Sequence, residues 1–260
     1  IPYLTSPIPN LLLPPCQIRG EIVYCSPETP DGAQDAMDQL ILTSDGSHSL
    51  LSGRYGVSYH SRYGAVQETE HVFLQAALRY YLKQYTPATL SVLEMGFGTG
   101  LNAFMTLLEA EARQLPVHFT TIEAYPIQEA LADQLNFPEV LQAPAADPWF
   151  RRLHRCSWET AEPISPFFTL EKKRTPVQDV QLEGRYQLVY FDAFAPDAQP
   201  ELWEAGILQK MFDALQPGGV LTTYCAKGAV KRTLRSVGFT VESLAGPPGK
   251  REMTRALKPI

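Results

Sequence analysis

Short apolar runs alternate with amphipathic segments over the last two thirds of the chain. The apolar runs predict buried strands, and the amphipathic segments predict helices. The predicted strands cover residues 90–93, 117–123, 167–172, 186–192 and 220–225, and the predicted helices cover residues 101–110, 126–135, 201–215 and 226–237. This alternation is typical of a mostly parallel, doubly wound α/β sheet.

Two further strands are predicted at the C-terminus, over residues 239–244 and 251–258. The link between them contains Gly246-Pro247-Pro248-Gly249 and is too short for a crossover helix, so this pair must be antiparallel. A turn at Pro217-Gly218-Gly219 is predicted to precede the strand over residues 220–225.

The N-terminal part of the chain has a different pattern. Five prolines among residues 1–15 favour an extended arm. Residues 17–52 predict a small β element, because two apolar runs flank Asp45-Gly46, a residue pair suited to a hairpin turn. A loop over residues 54–65 and a helix over residues 71–85 follow. We therefore predict an N-terminal arm with a β extension over residues 1–54 and a main domain over residues 55–260, with a proline-rich insertion at about residues 136–166.

Composition excludes several classes of protein. The 22 Lys and Arg residues against 28 Asp and Glu residues give a net charge of −6, which is not the charge of a general nucleic-acid binder. The four cysteines form no Cys-x-x-Cys pair, and the five histidines show no ligand spacing, so no metal site is expected. No apolar run reaches the length of a membrane helix, and no signal peptide is visible. We expect a cytoplasmic protein that does not bind membranes.

A glycine-rich turn follows the predicted strand over residues 90–93. Glu94 precedes three alternating glycines, Gly96, Gly98 and Gly100, and a helix begins at Leu101. Glycines let the backbone approach a ligand closely, and the helix start offers unpaired N–H groups. Leu101 stands where the dinucleotide fingerprint requires a small residue, which argues against NAD. The motif resembles instead the first motif of class I methyltransferases, which binds S-adenosyl-L-methionine.

Three carboxylates are predicted at the carboxyl edge of the sheet. Glu123 suits the two ribose hydroxyls of a nucleotide, with a solvated strand-end carboxylate as the alternative. Glu94 can face the amino group of a ligand or interact with the following helix. Asp192 is the candidate catalytic residue, because methyl transfer to nitrogen needs a carboxylate that holds or deprotonates the amine. The alternative for Asp192 is a carboxylate that binds the amides of its own loop.

Basic residues occur in local clusters beside aromatic residues. The clusters are Arg151, Arg152, His154 and Arg155; Lys172, Lys173 and Arg174; Lys227, Lys231, Arg232 and Arg235; and Lys250 with Arg251. Each cluster alone is typical of a solvated surface. Together, on loops near the carboxyl edge, they allow an RNA-facing margin on an acidic protein.

The order of these motifs resembles a known family. The blocks are Glu68-Thr69 before Val72-Phe73-Leu74, Glu94 to Asn102, Ile122 to Pro126, Phe191 to Pro196, Trp203, Pro217-Gly218-Gly219, Val237 to Thr240, and Gly249-Lys250-Arg251-Glu252-Met253. They are similar to the methyltransferase domain of the bacterial bifunctional proteins of tRNA 5-methylaminomethyl-2-thiouridine biosynthesis. The resemblance extends from about residue 55 to residue 256 and implies a class I, Rossmann-like methyltransferase fold.

The resemblance implies methylation of the aminomethyl nitrogen of the tRNA wobble uridine, with S-adenosyl-L-methionine as cofactor. It implies cofactor binding by Glu68, Glu94, Gly96, Phe97, Gly98, Thr99, Gly100, Asn102, Glu123 and Ala124, and substrate binding by Asp192, Phe194, Lys250 and Arg251. Members of the family also carry an FAD-dependent oxidase domain, and no FAD is expected in this chain. The alternatives are a methyltransferase for a small amine and a non-catalytic binding module.

Overall fold

The computed structural model describes residues 16–18, 21–23, 37–182 and 184–260. Contacts divide the chain into two units, Ile1–Asp35 and Ala36–Ile260. In the first unit, β1 (Cys16–Ile18) pairs with β2 (Glu21–Val23) in an antiparallel ladder. The extended arm predicted over residues 1–15 lies outside the described residues. The predicted domain boundary after residue 54 stays a prediction.

The second unit contains the strands and helices that build the site. Its strands are β3 (Gln39–Leu42), β4 (His48–Leu51), β5 (Leu90–Met95), β6 (Val117–Ile122), β7 (Ala161–Ser165), β8 (Phe168–Lys173), β9 (Tyr186–Phe191), β10 (Leu215–Thr223), β11 (Thr240–Ala245) and β12 (Glu252–Leu257). Its helices are α1 (residues 65–82, with a π-helical part over Glu70–Arg79), α2 (Leu101–Arg113), α3 (Glu129–Ala132), α4 (Phe137–Val140), α5 (Asp147–Arg155), α6 (Ala205–Ala214) and α7 (Gly228–Ser236). Short 3₁₀ helices cover Pro144–Ala146 and Pro200–Trp203.

Eight strands form one mixed sheet in the order β11-β12-β10-β9-β5-β6-β8-β7. The five central strands are parallel, whereas β11, β12 and β7 join by antiparallel ladders. The antiparallel C-terminal pair predicted from the short link is therefore confirmed. The strands that follow β5 in the chain, β6 to β8, lie on one side of it in the sheet, whereas the strands that follow β9 lie on the opposite side. The topological switch point therefore lies between the neighbours β5 and β9. Ligands of open α/β sheets bind at such a point, beyond the carboxyl ends of the strands.

The central strands are buried on both faces, because successive side chains point to opposite sides of a strand. Val92 packs in the core beneath α1 and α2, and its neighbour Leu93 packs in the core beneath α6 and α7. Both side chains are fully buried. This two-sided burial explains why β5 and β9 are continuous apolar runs rather than alternating sequences.

Several predicted boundaries differ from the structure. The helix predicted over residues 126–135 is reduced to α3, and the helix predicted over residues 201–215 is a 3₁₀ helix followed by α6. The prediction that Pro217-Gly218-Gly219 form a turn before the strand was wrong, because these residues lie within β10. The ladder between β9 and β10 shifts register between Leu215 and Val220, so the glycine-rich stretch is accommodated as an irregularity of the strand.

The segment over residues 136–166, predicted as a proline-rich insertion, contains regular secondary structure. It includes α4, a 3₁₀ helix and α5, and it ends in β7, which extends the sheet beside β8. Prolines stand in the first turns of α4 and α5, where no N–H is needed. The prolines therefore mark helix starts here and not an irregular loop.

Candidate active site at the carboxyl edge

The glycine turn connects β5 to α2 at the switch point of the sheet. Gly96, Gly98 and Gly100 all have positive φ, at 88°, 48° and 73°. A Cβ at Gly96 would lie 3.0 Å from the carbonyl oxygen of Asp192, and a Cβ at Gly100 would lie 2.9 Å from Nε2 of His154. Side chains at these two positions are therefore excluded both by backbone conformation and by space.

Glu94 is the penultimate residue of β5 and is fully buried. The hydroxyl of Thr121 donates to its Oε2 at 2.7 Å, while its Oε1 has no hydrogen-bond partner. Burial raises the pKa of Glu94 well above its usual value, and the charge of Asp192 acts in the same direction, against the hydrogen bond from Thr121. An unsatisfied buried oxygen of this kind is costly unless another group supplies a hydrogen bond or a positive charge.

Glu123 follows β6 and turns back toward the glycine turn. The backbone N–H of Gly98 donates to its Oε2 at 3.1 Å, and the N–H of Tyr125 donates to its Oε1 at 2.8 Å. Burial raises the pKa of Glu123, although these backbone hydrogen bonds lower it. Since each carboxylate oxygen can accept a second hydrogen bond, Glu123 is oriented by the backbone and still able to bind a diol.

Asp192 follows β9 directly beside the glycine turn. Its backbone N–H donates to Met95 at 3.1 Å, which joins the ends of β9 and β5. Its side-chain Oδ2 accepts a 2.8 Å hydrogen bond from Nδ2 of Asn102, whose Oδ1 accepts a 2.8 Å bond from the hydroxyl of Thr69. Thr69 and Asn102 are buried. This chain of hydrogen bonds fixes the orientation of the Asp192 carboxylate from α1 and α2.

Charged neighbours surround Asp192 on its outer side. The pKa of Asp192 is raised to about 7 by burial and by the charge of Glu68, acting against the Asn102 hydrogen bond and the charge of Lys250. Lys250 lies 2.5 Å from Oε1 of Glu68. A carboxyl group that changes protonation near neutral pH can exchange a proton with a bound amine.

Aromatic rings form a wall beside Asp192. Phe194 lies with its ring centre 4.8 Å from that of Tyr55 and 5.0 Å from that of Tyr59. The indole N–H of Trp203 donates to the carbonyl oxygen of Phe194 at 2.8 Å, which holds the loop after Asp192 in place. Offset and edge-to-face ring contacts of this kind stabilise an apolar surface against which a planar ring can stack.

Two histidines contact Thr99 in the glycine turn. Nε2 of His60 lies 3.4 Å from the Thr99 hydroxyl, and Nε2 of His154 donates to the Thr99 carbonyl oxygen at 3.1 Å. His154 comes from α5 and packs against Phe97 with ring centres 5.2 Å apart. Burial lowers the pKa of both histidines to about 4, so both rings are neutral near pH 7.

The structure brings most of the predicted site residues together. Asn102 contacts Asp192 and Lys250 contacts Glu68, while the charges of Glu68 and Lys250 act on Asp192. Glu94, Phe97 and Thr99 are buried at the glycine turn. Ala124 lies beside Glu123, whereas Arg251 is exposed. The roles assigned to all these residues stay predictions.

Several members of the basic clusters are ion-paired or buried. Arg151 and Arg155 form ion pairs with Asp133, and Arg151 also pairs with Asp147. Lys172 is fully buried and donates to the carbonyl oxygen of His154 at 2.6 Å. Arg151, Arg155 and Lys172 therefore contribute little free positive charge to the carboxyl edge.

Tyr59, His60 and Tyr224 are site residues that sequence reasoning missed. Tyr59 and His60 stand in a loop without hydrophobic periodicity, where no pattern marks them. Tyr224 directly follows β10, and its hydroxyl donates to the carbonyl oxygen of Ala193 at 2.8 Å. Its position after a central strand is the same signal that identified Glu94 and Asp192.

In the residues that the structure describes, no helix combines the length and the apolar character needed to cross a lipid bilayer. Across the same described ranges, no group of three or more His, Cys, Asp or Glu side chains is arranged to hold a metal ion.

Comparison with known proteins supports the fold. A sequence profile described as S-adenosyl-L-methionine-dependent methyltransferase matches residues 171–259. A crystal structure of MnmC2 from Aquifex aeolicus superposes with a TM-score of 0.71, at 24% identity, over 87% of this chain and 74% of that chain. The predicted class I methyltransferase fold is confirmed.

Two curated relatives are bifunctional proteins. The tRNA 5-methylaminomethyl-2-thiouridine biosynthesis bifunctional protein MnmC of Ectopseudomonas mendocina is 33% identical over 218 residues, which are 78% of this chain and 32% of that protein. The protein of the same name from Stutzerimonas stutzeri is 31% identical over 238 residues, which are 86% of this chain and 35% of that protein. The chain thus spans about one third of the length of these relatives.

Proposed function

Because this chain is an S-adenosyl-L-methionine-dependent methyltransferase related to the bifunctional proteins of tRNA 5-methylaminomethyl-2-thiouridine biosynthesis, we propose that it methylates a tRNA. The acceptor is the aminomethyl nitrogen of 5-aminomethyl(-2-thio)uridine at the wobble position, and the product is 5-methylaminomethyl(-2-thio)uridine. A tRNA substrate also implies a cytoplasmic location.

The observation that carries this proposal is the environment of Asp192. Its carboxylate is oriented by Asn102 and Thr69, stands at the switch point of the sheet, and has a pKa of about 7. An alkylammonium must lose a proton before its nitrogen can attack a methyl group. A carboxylate with this pKa, placed beside the glycine turn, suits that step better than a solvated carboxylate does.

The residues at the glycine turn fit S-adenosyl-L-methionine. The unpartnered Oε1 of Glu94 offers a hydrogen-bond acceptor to an ammonium, and Glu123 offers two oriented oxygens to a ribose diol. At Gly96 and Gly100 a Cβ would meet Asp192 and His154, so the turn that carries these groups requires glycine at both positions.

The bound cofactor supplies a methyl group on a positively charged sulfur, and transfer to the amine leaves that sulfur neutral. Asp192 accepts the proton that the acceptor nitrogen loses, and Asn102 keeps the receiving carboxylate in one orientation. The aromatic wall of Phe194, Tyr55 and Tyr59 provides a face on which the uracil ring can stack. The protein therefore contributes positioning and proton removal, which are the main requirements of methyl transfer to nitrogen.

The proposal is tested by incubating the protein with labelled S-adenosyl-L-methionine and tRNA that carries 5-aminomethyl-2-thiouridine, followed by nucleoside analysis. We expect labelled 5-methylaminomethyl-2-thiouridine to form. Asp192→Asn should lower turnover by about 10²–10⁴-fold, because the amide cannot accept the proton. Its cofactor binding, measured by calorimetry, should stay close to that of the unchanged protein.

Asp197→Asn is the matched control, because Asp197 lies five residues further on the same loop and its side chain is 84% exposed in an ion pair with Lys227. This variant should retain activity. Failure to form the methylated nucleoside from the aminomethyl tRNA would contradict the proposal. Equal activity on the free nucleoside would show that tRNA is not the recognised form.

A further inference from the structure

An ammonium group already occupies the outer side of the candidate active site. Nζ of Lys250 lies 2.5 Å from Oε1 of Glu68 and 3.9 Å from the centre of the Tyr224 ring. An ammonium held between a carboxylate and the face of an aromatic ring is the arrangement by which proteins recognise alkylammonium ligands.

The groups around this ammonium are held firmly by the fold. Glu68 is only 6% exposed, and its Oε2 accepts a 2.7 Å hydrogen bond from the backbone N–H of Ser61. The hydroxyl of Tyr224 donates to the carbonyl oxygen of Ala193, the residue after Asp192. Carboxylate and ring are therefore oriented without Lys250, and they form a site rather than two side chains that merely follow the lysine.

Lys250 is held less firmly than the groups around it. It belongs to the short connection between β11 and β12, and its side chain is 31% exposed, against 7% for Glu68. The lysine can therefore leave while Glu68 stays buried. If it left with no replacement, the Glu68 carboxylate would stand buried and unpaired near Asp192, which is unfavourable.

The charge of Lys250 also acts on Asp192. The charge of Glu68 raises the pKa of Asp192, and the charge of Lys250 lowers it. Glu68 contacts the ammonium directly, and the charge of Asp192 also acts on it, so a second cation of the same chemistry would be attracted to the position that Lys250 holds.

We propose that Glu68, Tyr224 and Asp192 form the subsite for the alkylammonium group of the methyl acceptor, and that Lys250 is a resident cation which the acceptor displaces. The inference rests on the proposed function for the identity of the acceptor as an amine, but the subsite itself can be tested without any nucleic acid. Displacement brings the acceptor's ammonium against Asp192, the group that removes its proton.

Lys250 should therefore lower the affinity of the protein for the acceptor. A ligand that needs the subsite empty binds with an affinity reduced by the fraction of time for which Lys250 leaves it empty. Removing the lysine ammonium should therefore tighten the binding of a small alkylammonium, whereas a lysine that contacts the acceptor directly would have the opposite effect.

The experiment uses methylammonium as the probe, with binding followed by the saturable change of its methyl NMR signal in the presence of the protein. The variants are Lys250→Met, which keeps the length of the side chain without its charge, and Lys250→Met combined with Glu68→Gln. Lys227→Met is the matched control, because Lys227 is a lysine at the same edge whose ammonium pairs with the exposed Asp197.

We expect Lys250→Met to bind methylammonium with a dissociation constant of about 1–10 mM, the range available to a ligand of two heavy atoms. The unchanged protein and Lys227→Met should bind at least about 10-fold more weakly, and the double variant should not bind. Methanol, which has the same size and no charge, should bind to none of them.

Equal methylammonium binding by Lys250→Met and the unchanged protein would overturn the inference, as would binding that survives Glu68→Gln. Should Lys250→Met not fold, Lys250→Gln is measured with the same criteria. This outcome is independent of the tRNA assay. Methylammonium binding without tRNA methylation would support the subsite and contradict only the proposed substrate.

Discussion

Asp192 combines three features at the scale of a single residue: a position after a central strand, an oriented carboxylate and a pKa near neutrality. Burial is the main cause of the raised pKa, since little water reaches the carboxylate. The hydrogen bond from Asn102 limits the rise, and the Thr69 hydroxyl orients Asn102. The same burial that makes the carboxylate a suitable base also makes its charged form costly.

The pH dependence of the methylation rate follows from this pKa. Asp192 acts as its carboxylate, so kcat/KM should rise with pH and level off above about pH 7. Below that value it should fall by about tenfold per pH unit. Initial rates at saturating cofactor and low acceptor concentration give this profile. A rate that is constant between about pH 5.5 and 8 would show that Asp192 does not accept the proton.

Stability should show the opposite dependence on pH. The pKa of Asp192 is raised in the folded protein from 3.8 to about 7, so the fold favours the protonated form. Its contribution to stability is therefore complete below pH 3.8 and is lost as the pH rises through about 7. Asp192→Asn removes this dependence. Its gain in Tm over the unchanged protein, measured by calorimetry, should be larger at about pH 8 than at about pH 5, and an equal gain at both would contradict the assignment.

At the scale of elements, the glycine turn and α2 form one unit whose geometry depends on β9 and α5. Gly96 approaches the backbone of Asp192, and Gly100 approaches the ring of His154. The turn is thus packed from two sides by elements distant in sequence. Such packing explains why three glycines with positive φ are needed within five residues.

Gly96→Ala should destabilise the protein by more than about 1 kcal/mol, because alanine is strained at a φ of 88° and its Cβ would contact the Asp192 carbonyl. Gly206→Ala, in α6, is the matched control: no atom lies within 4 Å of a Cβ there, and φ is not positive. This second change should stabilise the helix by about 0.4–1 kcal/mol. Urea unfolding measures both, and similar effects of the two changes would contradict the packing argument.

Helix α5 contacts the glycine turn through His154. His154→Phe keeps an aromatic ring against Phe97 but removes the hydrogen bond to the Thr99 carbonyl, a loss of about 0.5–1.5 kcal/mol. We expect weaker binding of S-adenosyl-L-methionine by calorimetry, by about 2–10-fold. Arg152→Ala, an exposed change on the same helix, should leave the affinity unchanged. Unaltered affinity in His154→Phe would limit α5 to a packing role.

At the scale of the whole second unit, the hairpin of β3 and β4 connects to the segment after α3. Oδ1 of Asn136 accepts a 2.8 Å hydrogen bond from the N–H of His48, and its Nδ2 donates to the Gly46 carbonyl at 2.9 Å. The same hairpin supplies Ser49, whose hydroxyl lies 2.9 Å from Nδ1 of His60. The hairpin therefore positions a residue that contacts the glycine turn.

Asn136→Ala should lower the free energy of unfolding by about 1–2 kcal/mol, since two hydrogen bonds between distant segments are lost. For a domain of this size the Tm should fall by roughly 2–8 °C. Glu139→Ala, an exposed change in the neighbouring α4, should have little effect. Equal Tm values for the two variants would show that the hairpin is not held through Asn136.

Prediction from sequence succeeded where local chemistry determines structure. Apolar runs identified the central strands because these strands are buried on both faces, and Gly96 to Gly100 identified the ligand turn because only glycine suits its backbone. Prediction was poorest in the proline-rich segment before β8 and at Gly218 and Gly219. Proline and glycine are compatible with a helix start, with a turn and with an irregular strand. Which of these occurs depends on neighbouring elements.

The sequence alone determined the fold class, the glycine turn with its following helix, and the strand-end carboxylates, since each depends on residues close together in the chain. Only the tertiary structure decided that Thr69, Asn102 and Asp192 form one hydrogen-bonded chain, that His60 and His154 meet at Thr99, and that Lys250 lies between Glu68 and Tyr224. Those contacts join residues far apart in sequence. They exist because parallel strands bring their carboxyl ends to one edge of the sheet.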